Sequence, residues 1–326
     1  MVGGRYELRS AIGKGGCAVV YDAVDLRVGR QVAVKIARPR AIEGSGGIRL
    51  AREARVGASI HHPNVCSVLD GGCLDDGRPY IVMERLYGET LTSVLARDGR
   101  MAPADAIDLA LQLLSALDAA HAQRVIHRDV KPCNVFLVPR AGCTPLVKLL
   151  DFGLCVSASQ RPQSNEELTR AGHAVGTPEY MSPEQIRGSR RFDAQIDVYA
   201  VGVILYEALS GRRAFSGPDI RSVVLSVISK RPSALRVHRP DLPVLLEQTV
   251  MRAMDVDLDA RYQTAAEMQT DLLEAHASVM RRQLGLPASP VSETVLKGAG
   301  SCSDLEMPTR PTLQPSSRWA RRTRLA

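Results

Sequence analysis

Hydrophobic and polar residues alternate in short runs along the first part of the chain. The runs YELRSAI, AVVYDAVD and QVAVKIA lie within residues 6–37 and are separated by GKGG and RVGR. Such alternation, broken by glycine-containing turns, is typical of β-strands. We therefore expect an antiparallel meander here, and a second pair of strands on either side of LDDGRP that ends in YIVME.

The apolar period then changes to three or four residues. The stretch IRLAREARVGASI is predicted to be a helix. One of its faces can pack on the sheet and consists of Leu50, Ala54, Gly57 and Ile60. A longer helix is predicted next, and Pro103 is well placed to begin it. Its apolar side consists of Ile107, Leu111, Leu114 and Leu117. The segment DVYAVGVILYEAL at 197–209 is apolar nearly all round, which predicts a helix buried in a larger helical lobe.

The composition is that of a globular protein. The 326 residues are 45% hydrophobic and 24% charged, which suits a chain with a sizeable core. No run of about 18 consecutive apolar residues is present. The N-terminus MVGGRYELRS lacks the apolar segment of a signal peptide. These features predict a cytoplasmic protein without a membrane span.

The cysteines argue against two classes of protein. None of the seven is part of a C-x-x-C pair, so a zinc ribbon or a secreted disulfide framework is not favoured. We expect reduced thiols. A redox or metal-binding role for Cys17, Cys133 or Cys155 is the weaker alternative, because a free cysteine usually acts as a small hydrophobic residue.

The net charge of +7 is concentrated at the C-terminal end, where residues 281–326 contain eight basic and three acidic residues. This segment is rich in Pro and Ser and has no periodicity, which predicts a disordered tail after a folded domain at 1–280. Its end, RWARRTRLA, could contact nucleic acid or anionic lipid. With one aromatic residue and no folded basic face, a solvated tail is favoured and nucleic acid is not an expected partner.

Gly13, Gly15 and Gly16 lie between the first two predicted strands. Their backbone could approach a phosphate closely and offer N–H groups to it. A glycine-rich hairpin turn is more often only a turn. A dinucleotide-binding fingerprint requires a helix after the glycines, whereas a strand follows here, so that interpretation is not favoured.

Lys35 ends the apolar run VAVK, where an ammonium group without an anionic partner would be costly. Glu53, beside the apolar face of the next helix, is the expected counter-charge. One interpretation is an ion pair that simply holds helix to sheet. The other adds phosphate oxygens as a second partner of the lysine.

Two further stretches identify a family. HRDVKPCN at 127–134 and LLDFGL at 149–154 follow GKGG, VAVK and REAR in the order of the protein-kinase signature motifs. GTPEYMSPE, DVYAVGV and DLDARYQTAAEM extend the match, so the chain resembles a bacterial-type Ser/Thr protein kinase over roughly residues 6–278. The resemblance implies an α+β, two-lobed kinase fold. The small lobe, about 1–86, has an antiparallel sheet and one helix, and the larger lobe, about 87–280, is mainly helical.

The resemblance implies a role for each charged residue of these motifs. Asp129 orients the acceptor hydroxyl and accepts its proton, and Lys131 lies by the transferred phosphate. Asn134 and Asp151 hold Mg²⁺. Lys35, oriented by Glu53, holds the α- and β-phosphates of ATP.

The resemblance also implies a nucleotide pocket. The phosphates are covered by Gly13, Lys14, Gly15 and Gly16. The backbone of Glu84 and Leu86 forms a hydrogen-bonding edge for adenine. The apolar slot for the adenine ring is formed by Ile12, Val20, Ala33, Met83 and Phe136. Each of these apolar residues could equally be ordinary core.

Other positions are implied to support or regulate the site. His127 and Phe152 are packing residues, and Asp197 braces the catalytic loop. The resemblance also implies that Glu184 pairs with Arg261.

Arg128 is expected to receive a phosphate carried by Thr169, or next by Ser164, whereas Thr177 is a structural partner of Asp129 and Lys131. A solvated threonine in a flexible loop is the alternative for Thr169. Lys131 and Thr177 match the Ser/Thr pattern rather than the tyrosine-kinase pattern.

Three departures from the family pattern stand out. Ala18 replaces the third glycine of the phosphate loop, which restricts the backbone slightly. Cys133 stands where Ser, Ala or Glu is usual. VPRAGCTPLV, between the catalytic loop and DFG, is longer than the common hairpin.

The sequence therefore predicts a kinase that transfers the γ-phosphate of ATP to Ser or Thr hydroxyls of protein substrates, with Mg²⁺. Self-association for autophosphorylation is a further expected interaction. The rival hypothesis is a catalytically weak pseudokinase that acts as a scaffold.

Overall fold

The computed structural model describes residues 1–16, 18–39, 57–151, 156–157, 178–189, 193–229 and 231–284. Its N-terminal part is a five-stranded sheet with the strand order β1-β2-β3-β5-β4, all neighbours antiparallel. The strands are β1 (Tyr6–Lys14), β2 (Ala18–Asp25), β3 (Arg30–Ala37), β4 (Val68–Cys73) and β5 (Pro79–Glu84). The predicted meander and the strand pair around LDDGRP are confirmed.

The central position of β3 explains its composition. Val32, Val34 and Ile36 pack in one cluster with Tyr6 and Val82, because a strand with neighbours on both sides presents its β-branched residues to the core. The helix predicted from Leu50 to Ile60 lies mostly within residues 40–56, outside the described residues. Ile60, at its predicted end, is buried.

The rest of the described chain is mainly helical. Its helices are α1 (Leu91–Asp98), α2 (Pro103–Ala122), α3 (Pro183–Ile186), α4 (Gln195–Ser210), α5 (Ile220–Ser229), α6 (Leu235–His238), α7 (Val244–Ala253) and α8 (Ala265–Gln283). Pro103 is the first residue of α2, and Ile107, Leu114 and Leu117 are fully buried. Helix α4 is buried on nearly every side, as its apolar sequence predicts.

Short strands connect the two parts. Strands β6 (Glu89–Thr90), β8 (Val135–Arg140) and β9 (Cys143–Leu149) form a small sheet in the order β6-β8-β9. Strand β7 (Val125–Ile126) pairs with β10 (Val156–Ser157). The stretch VPRAGCTPLV forms the end of the β8–β9 hairpin, in which Arg140 pairs with Cys143 and Gly142 has φ +68°.

The small sheet joins the two parts into one α+β architecture, with antiparallel strands first and helices after them. The expected fold class is therefore confirmed. No helix in the described ranges combines the length and hydrophobicity that crossing a membrane requires.

Candidate active site

A cleft of about 360 Å³ lies between the five-stranded sheet and the small sheet. Its lining is mainly apolar and comes from β1, β2, β3, β5 and β8. Nine residues that the sequence assigned to nucleotide binding line it: Ile12, Gly13, Val20, Ala33, Met83, Glu84, Leu86, Phe136 and Asp151. The cleft therefore has the size and the apolar walls of a small-molecule site.

The segment that follows β5 forms one edge of the cleft. The Glu84 N–H donates to the Ser67 carbonyl over 3.0 Å, and the Arg85 guanidinium donates to the Leu86 carbonyl. Gly88 has φ +150°, and a Cβ there would lie 2.0 Å from the Leu137 carbonyl oxygen. Only glycine lets the chain pass so close to β8, which fixes the course of this edge.

In the glycine-rich turn between β1 and β2, the Gly15 N–H donates to the Ala18 carbonyl over 2.9 Å. A Cβ at Gly16 would meet no described atom within 4 Å. Neither Gly15 nor Gly16 has positive φ. Contacts within the described part of the chain therefore do not require glycine at these two positions.

Lys35 and Asp151 meet across the cleft. The Lys35 ammonium lies 2.7 Å from Asp151 Oδ1, and its side chain is 12% exposed. Lys35 is fixed in the middle of the sheet by pairing with Val20 and Ile81. Asp151 follows β9 in the left-handed region, with φ +59°. Such a backbone is costly for a non-glycine residue and clusters at functional sites.

The loop from His127 to Asn134 gathers three polar side chains. The carboxylate of Asp129 accepts hydrogen bonds from the Lys131 ammonium at 2.8 Å and from Asn134 Nδ2 at 3.2 Å. Asn134 Nδ2 also donates to the Asp129 carbonyl over 2.8 Å. The Leu150 N–H donates to the Asn134 carbonyl over 2.8 Å, which brings this loop beside Asp151.

Asp197 lies beneath this loop at the start of α4 and is 1% exposed. Its carboxylate accepts the N–H groups of His127 and Arg128 over 2.9 and 2.8 Å, and His121 Nε2 lies 2.8 Å away. Burial alone would raise the pKa of Asp197, but its hydrogen bond to His121 and the nearby histidines lower it. The predicted bracing role is confirmed, and the carboxylate supports Arg128 in its left-handed backbone, with φ +67°.

His127 is fully buried, and its Nε2 lies 3.0 Å from the Leu150 carbonyl, so its predicted packing role is confirmed. The predicted pair of Glu184 and Arg261 is also confirmed, with 2.7 Å between Arg261 Nη1 and Glu184 Oε1. Several other predicted residues lie outside the described ranges: Glu53, Phe152, Ser164, Thr169 and Thr177.

Cys133 follows Pro132 in the loop; the residue is exposed to solvent, but partial desolvation of its thiol raises its pKa. A raised pKa disfavours the reactive thiolate. Cys66, Cys73 and Cys143 are, like Cys133, free thiols.

Sequence reasoning missed several residues of this region. Cys66, Thr90 and Leu150 line the cleft, and His121 contacts Asp197. No local signal marked them. Lys148 was missed too, although it shows the feature that singled out Lys35, an isolated lysine in an apolar run; it forms an ion pair with Glu84 over 2.7 Å.

Comparison with known proteins agrees with this arrangement. The family model described as the protein kinase domain matches residues 6–315, past the predicted end of the resemblance at 278. A probable serine/threonine-protein kinase of Streptomyces coelicolor is 36% identical over 302 residues, which cover 91% of this chain and 42% of the relative. The serine/threonine-protein kinase PknB of Mycobacterium tuberculosis is 37% identical over 276 residues, which cover 83% of this chain and 43% of PknB.

This chain thus spans less than half the length of these curated relatives. The family model, in contrast, covers most of the chain, and its range includes the cleft and the loop described above. The chain belongs to the protein kinase domain family.

Proposed function

We propose that this chain is an active, ATP- and Mg²⁺-dependent protein serine/threonine kinase. The observation that carries the proposal is the convergence of Asp129, Lys131 and Asn134 in one hydrogen-bonded cluster. Asp151 lies beside it and bonds Lys35 over 2.7 Å. Family membership supports the reaction class, because protein kinases transfer the γ-phosphoryl group of ATP.

Asp129 and Lys131 suit the two ends of the transfer. The acceptor hydroxyl oxygen bonds to the γ-phosphorus while the bond from that phosphorus to the β–γ bridging oxygen breaks, and ADP leaves with the bonding electrons. Asp129 orients the hydroxyl and receives its proton. Lys131, 2.8 Å from Asp129, stabilises negative charge on the transferred group.

Asn134 and Asp151 fit a magnesium ion. They offer an amide oxygen and a carboxylate, which are the hard oxygen donors that Mg²⁺ prefers. The hydrogen bond from Leu150 to the Asn134 carbonyl keeps the two residues close. When bound, Mg²⁺ supplies charge neutralisation for the phosphate oxygens.

The cleft fits ATP. Its volume of about 360 Å³ and its apolar walls suit a purine base. We assign the base slot to the five predicted apolar residues and its polar edge to the backbone of Glu84 and Leu86. Because the Glu84 N–H is bonded to Ser67, the Glu84 carbonyl and the Leu86 N–H are the groups assigned to the base. The turn Gly13–Gly16 is assigned to the phosphates.

The substrate class is assigned to Ser and Thr hydroxyls of proteins. Lys131 matches the Ser/Thr pattern of the family, and the relatives described above are named as serine/threonine-protein kinases. Self-association for autophosphorylation belongs to the same proposal.

We assign a switch to Arg128. Asp197 and Gln185 fix its backbone, since Gln185 Nε2 donates to the Arg128 carbonyl over 3.0 Å. A guanidinium suits bidentate pairing with a phosphate, and Thr169 is the assigned carrier. Phosphatase treatment and Thr169→Ala should each lower activity, and Arg128→Ala should remove most of the difference between the two phosphorylation states. Full activity in Thr169→Ala, with no phosphate found at that residue, would refute the switch alone.

The decisive experiment is transfer of labelled γ-phosphate to a generic protein substrate by the purified chain. Asp129→Asn and Lys35→Met should fold normally and each lose about 100-fold or more in kcat/KM. Arg78→Ala, which removes an exposed ion pair with Asp76, is the control and should keep wild-type activity. A wild-type chain that binds ADP but transfers no phosphate would favour the pseudokinase alternative.

A further inference from the structure

Glu84 is held by more than its backbone. It ends β5, directly after Met83, and both residues line the cleft. Its Oε1 accepts hydrogen bonds from the Lys148 ammonium and from the Ser67 N–H, each over 2.7 Å. Side chain and main chain of Glu84 are thus both anchored by hydrogen bonds at the edge of the cleft.

Lys148 comes from the small sheet, on the other side of the cleft from Glu84. It lies in β9, where it pairs with Phe136 of β8. Directly paired residues of an antiparallel ladder point to the same face of the sheet. Phe136 lines the cleft, whereas Lys148 is not part of the lining and its ammonium bonds Glu84.

The burial of Lys148 requires its partners. Its side chain is 9% exposed, and the ammonium also donates to the Val65 carbonyl over 3.3 Å. A buried ammonium without such acceptors would be strongly destabilising. The charge of Lys148 is therefore directed at Glu84 and at the segment that precedes β4.

The next residue of the edge is anchored on the opposite side. Arg85 Nε donates to Asp22 Oδ1 of β2 over 2.6 Å, and the guanidinium contacts the Leu86 carbonyl. Glu84 is thus tied to β9 and Arg85 to β2. Since the chain runs from Lys148 in β9 through Leu149 and Leu150 to Asp151, one short segment connects the residue that anchors the edge of the cleft with the carboxylate assigned to Mg²⁺.

We infer that Lys148 is a positioning residue for the nucleotide: through its ion pair with Glu84 it fixes the backbone edge that receives the base and aligns that edge with Asp151. This inference rests on the proposed function, because it deepens the role of the nucleotide site. Lys148 acts through Glu84 and does not touch the nucleotide.

The test is ADP binding in the presence of Mg²⁺, measured by calorimetry on the full chain, together with KM and kcat for ATP. Lys148→Met should raise the Kd for ADP and the KM for ATP by about ten-fold and leave kcat within about two-fold. Lys148→Arg should restore most of the affinity, since a guanidinium can also bond Glu84. In a double-mutant cycle, Glu84→Gln with Lys148→Met should bind ADP more tightly than two independent losses predict.

Arg239→Met is the matched control. Arg239 is also 9% exposed and forms an ion pair over 2.7 Å, but with Asp241 and away from the cleft. It should lower the melting temperature without changing ADP affinity. Equal weakening of ADP binding by Arg239→Met and Lys148→Met would overturn the inference, because the effect would then be one of stability.

The remaining outcomes are also decisive. Unchanged ADP affinity in Lys148→Met, with wild-type binding intact, would overturn the inference and leave the proposed function standing. A wild-type chain that binds no ADP would overturn both. If Lys148→Met does not fold, ADP binding is measured on Glu84→Gln and on the double variant, which leaves no unpaired buried charge. Wild-type ADP affinity in both of these variants would overturn the inference.

Discussion

The guanidinium of Arg261 is fully buried and forms two hydrogen bonds with the carboxylate of Glu184, over 2.7 and 3.2 Å. The same group donates to the Asp255 carbonyl over 2.9 Å and lies 4.9 Å from the ring centroid of Tyr199. Glu184 and Arg261 are 77 residues apart in sequence. Their pairing therefore anchors the short helix α3 on the interior of the helical lobe.

Arg261→Ala should lower the free energy of unfolding by about 3–5 kcal/mol, because it leaves the Glu184 carboxylate without its buried cation. Urea denaturation measures this loss. Arg78→Ala is the control, since its pair with Asp76 is exposed and should contribute no more than about 1 kcal/mol. An equal loss of unfolding free energy in the two variants would contradict the prediction that the buried ion pair contributes more to stability than the exposed one.

Two fully buried tyrosines differ in one respect. The Tyr262 hydroxyl donates to Asp271 Oδ2 over 2.6 Å, whereas the Tyr199 hydroxyl has no hydrogen-bond partner in the described part of the chain. Tyr199→Phe should therefore leave the free energy of unfolding unchanged or raise it, while Tyr262→Phe should lower it by about 1.5–3 kcal/mol. Thermal or urea unfolding of both variants measures the contrast. A marked loss of unfolding free energy in Tyr199→Phe would mean that the Tyr199 hydroxyl does form a hydrogen bond.

Asp197 should make stability depend on pH in the acid range. Its pKa lies below the ordinary value of 3.8, so the folded carboxylate binds its proton less readily than the unfolded one. Its contribution is full above about pH 3.8 and is lost as the pH falls through the lower folded pKa. The difference in unfolding free energy between wild type and Asp197→Asn should shrink as the pH falls below about 4. A difference that grows on acidification would contradict this sign.

Replacing Ala18 by glycine should change the KM for ATP by only a few-fold. Arg124, Arg128 and Asp151 are the described non-glycine residues with positive φ, and Ala18 is not among them. Its backbone therefore has no strain for glycine to relieve. Steady-state kinetics at varied ATP checks the prediction. A change of about 100-fold, equivalent to about 2.7 kcal/mol, would mean that Ala18 strains the loop.

Much of the fold follows from local patterns. Period-two alternation located β1, β2 and β3, and Pro103 with its apolar stripe located α2. The motifs also identified most of the cleft lining, because phosphoryl transfer requires particular side chains in a set order. The path from Glu84 to Gly88 was less predictable, since it depends on the close approach of Gly88 to the Leu137 carbonyl.

The sequence by itself determined the order of strands and helices, the family, and the residue types at the site. These depend on periodicity and on motifs of a few neighbouring residues. Only the tertiary structure decided that Lys148 contacts Glu84 across 64 residues of sequence, or that His121 contacts Asp197 across 76. Such pairs form when packing of the core brings distant elements together, and the geometry of that packing is a property of the whole fold rather than of any local pattern.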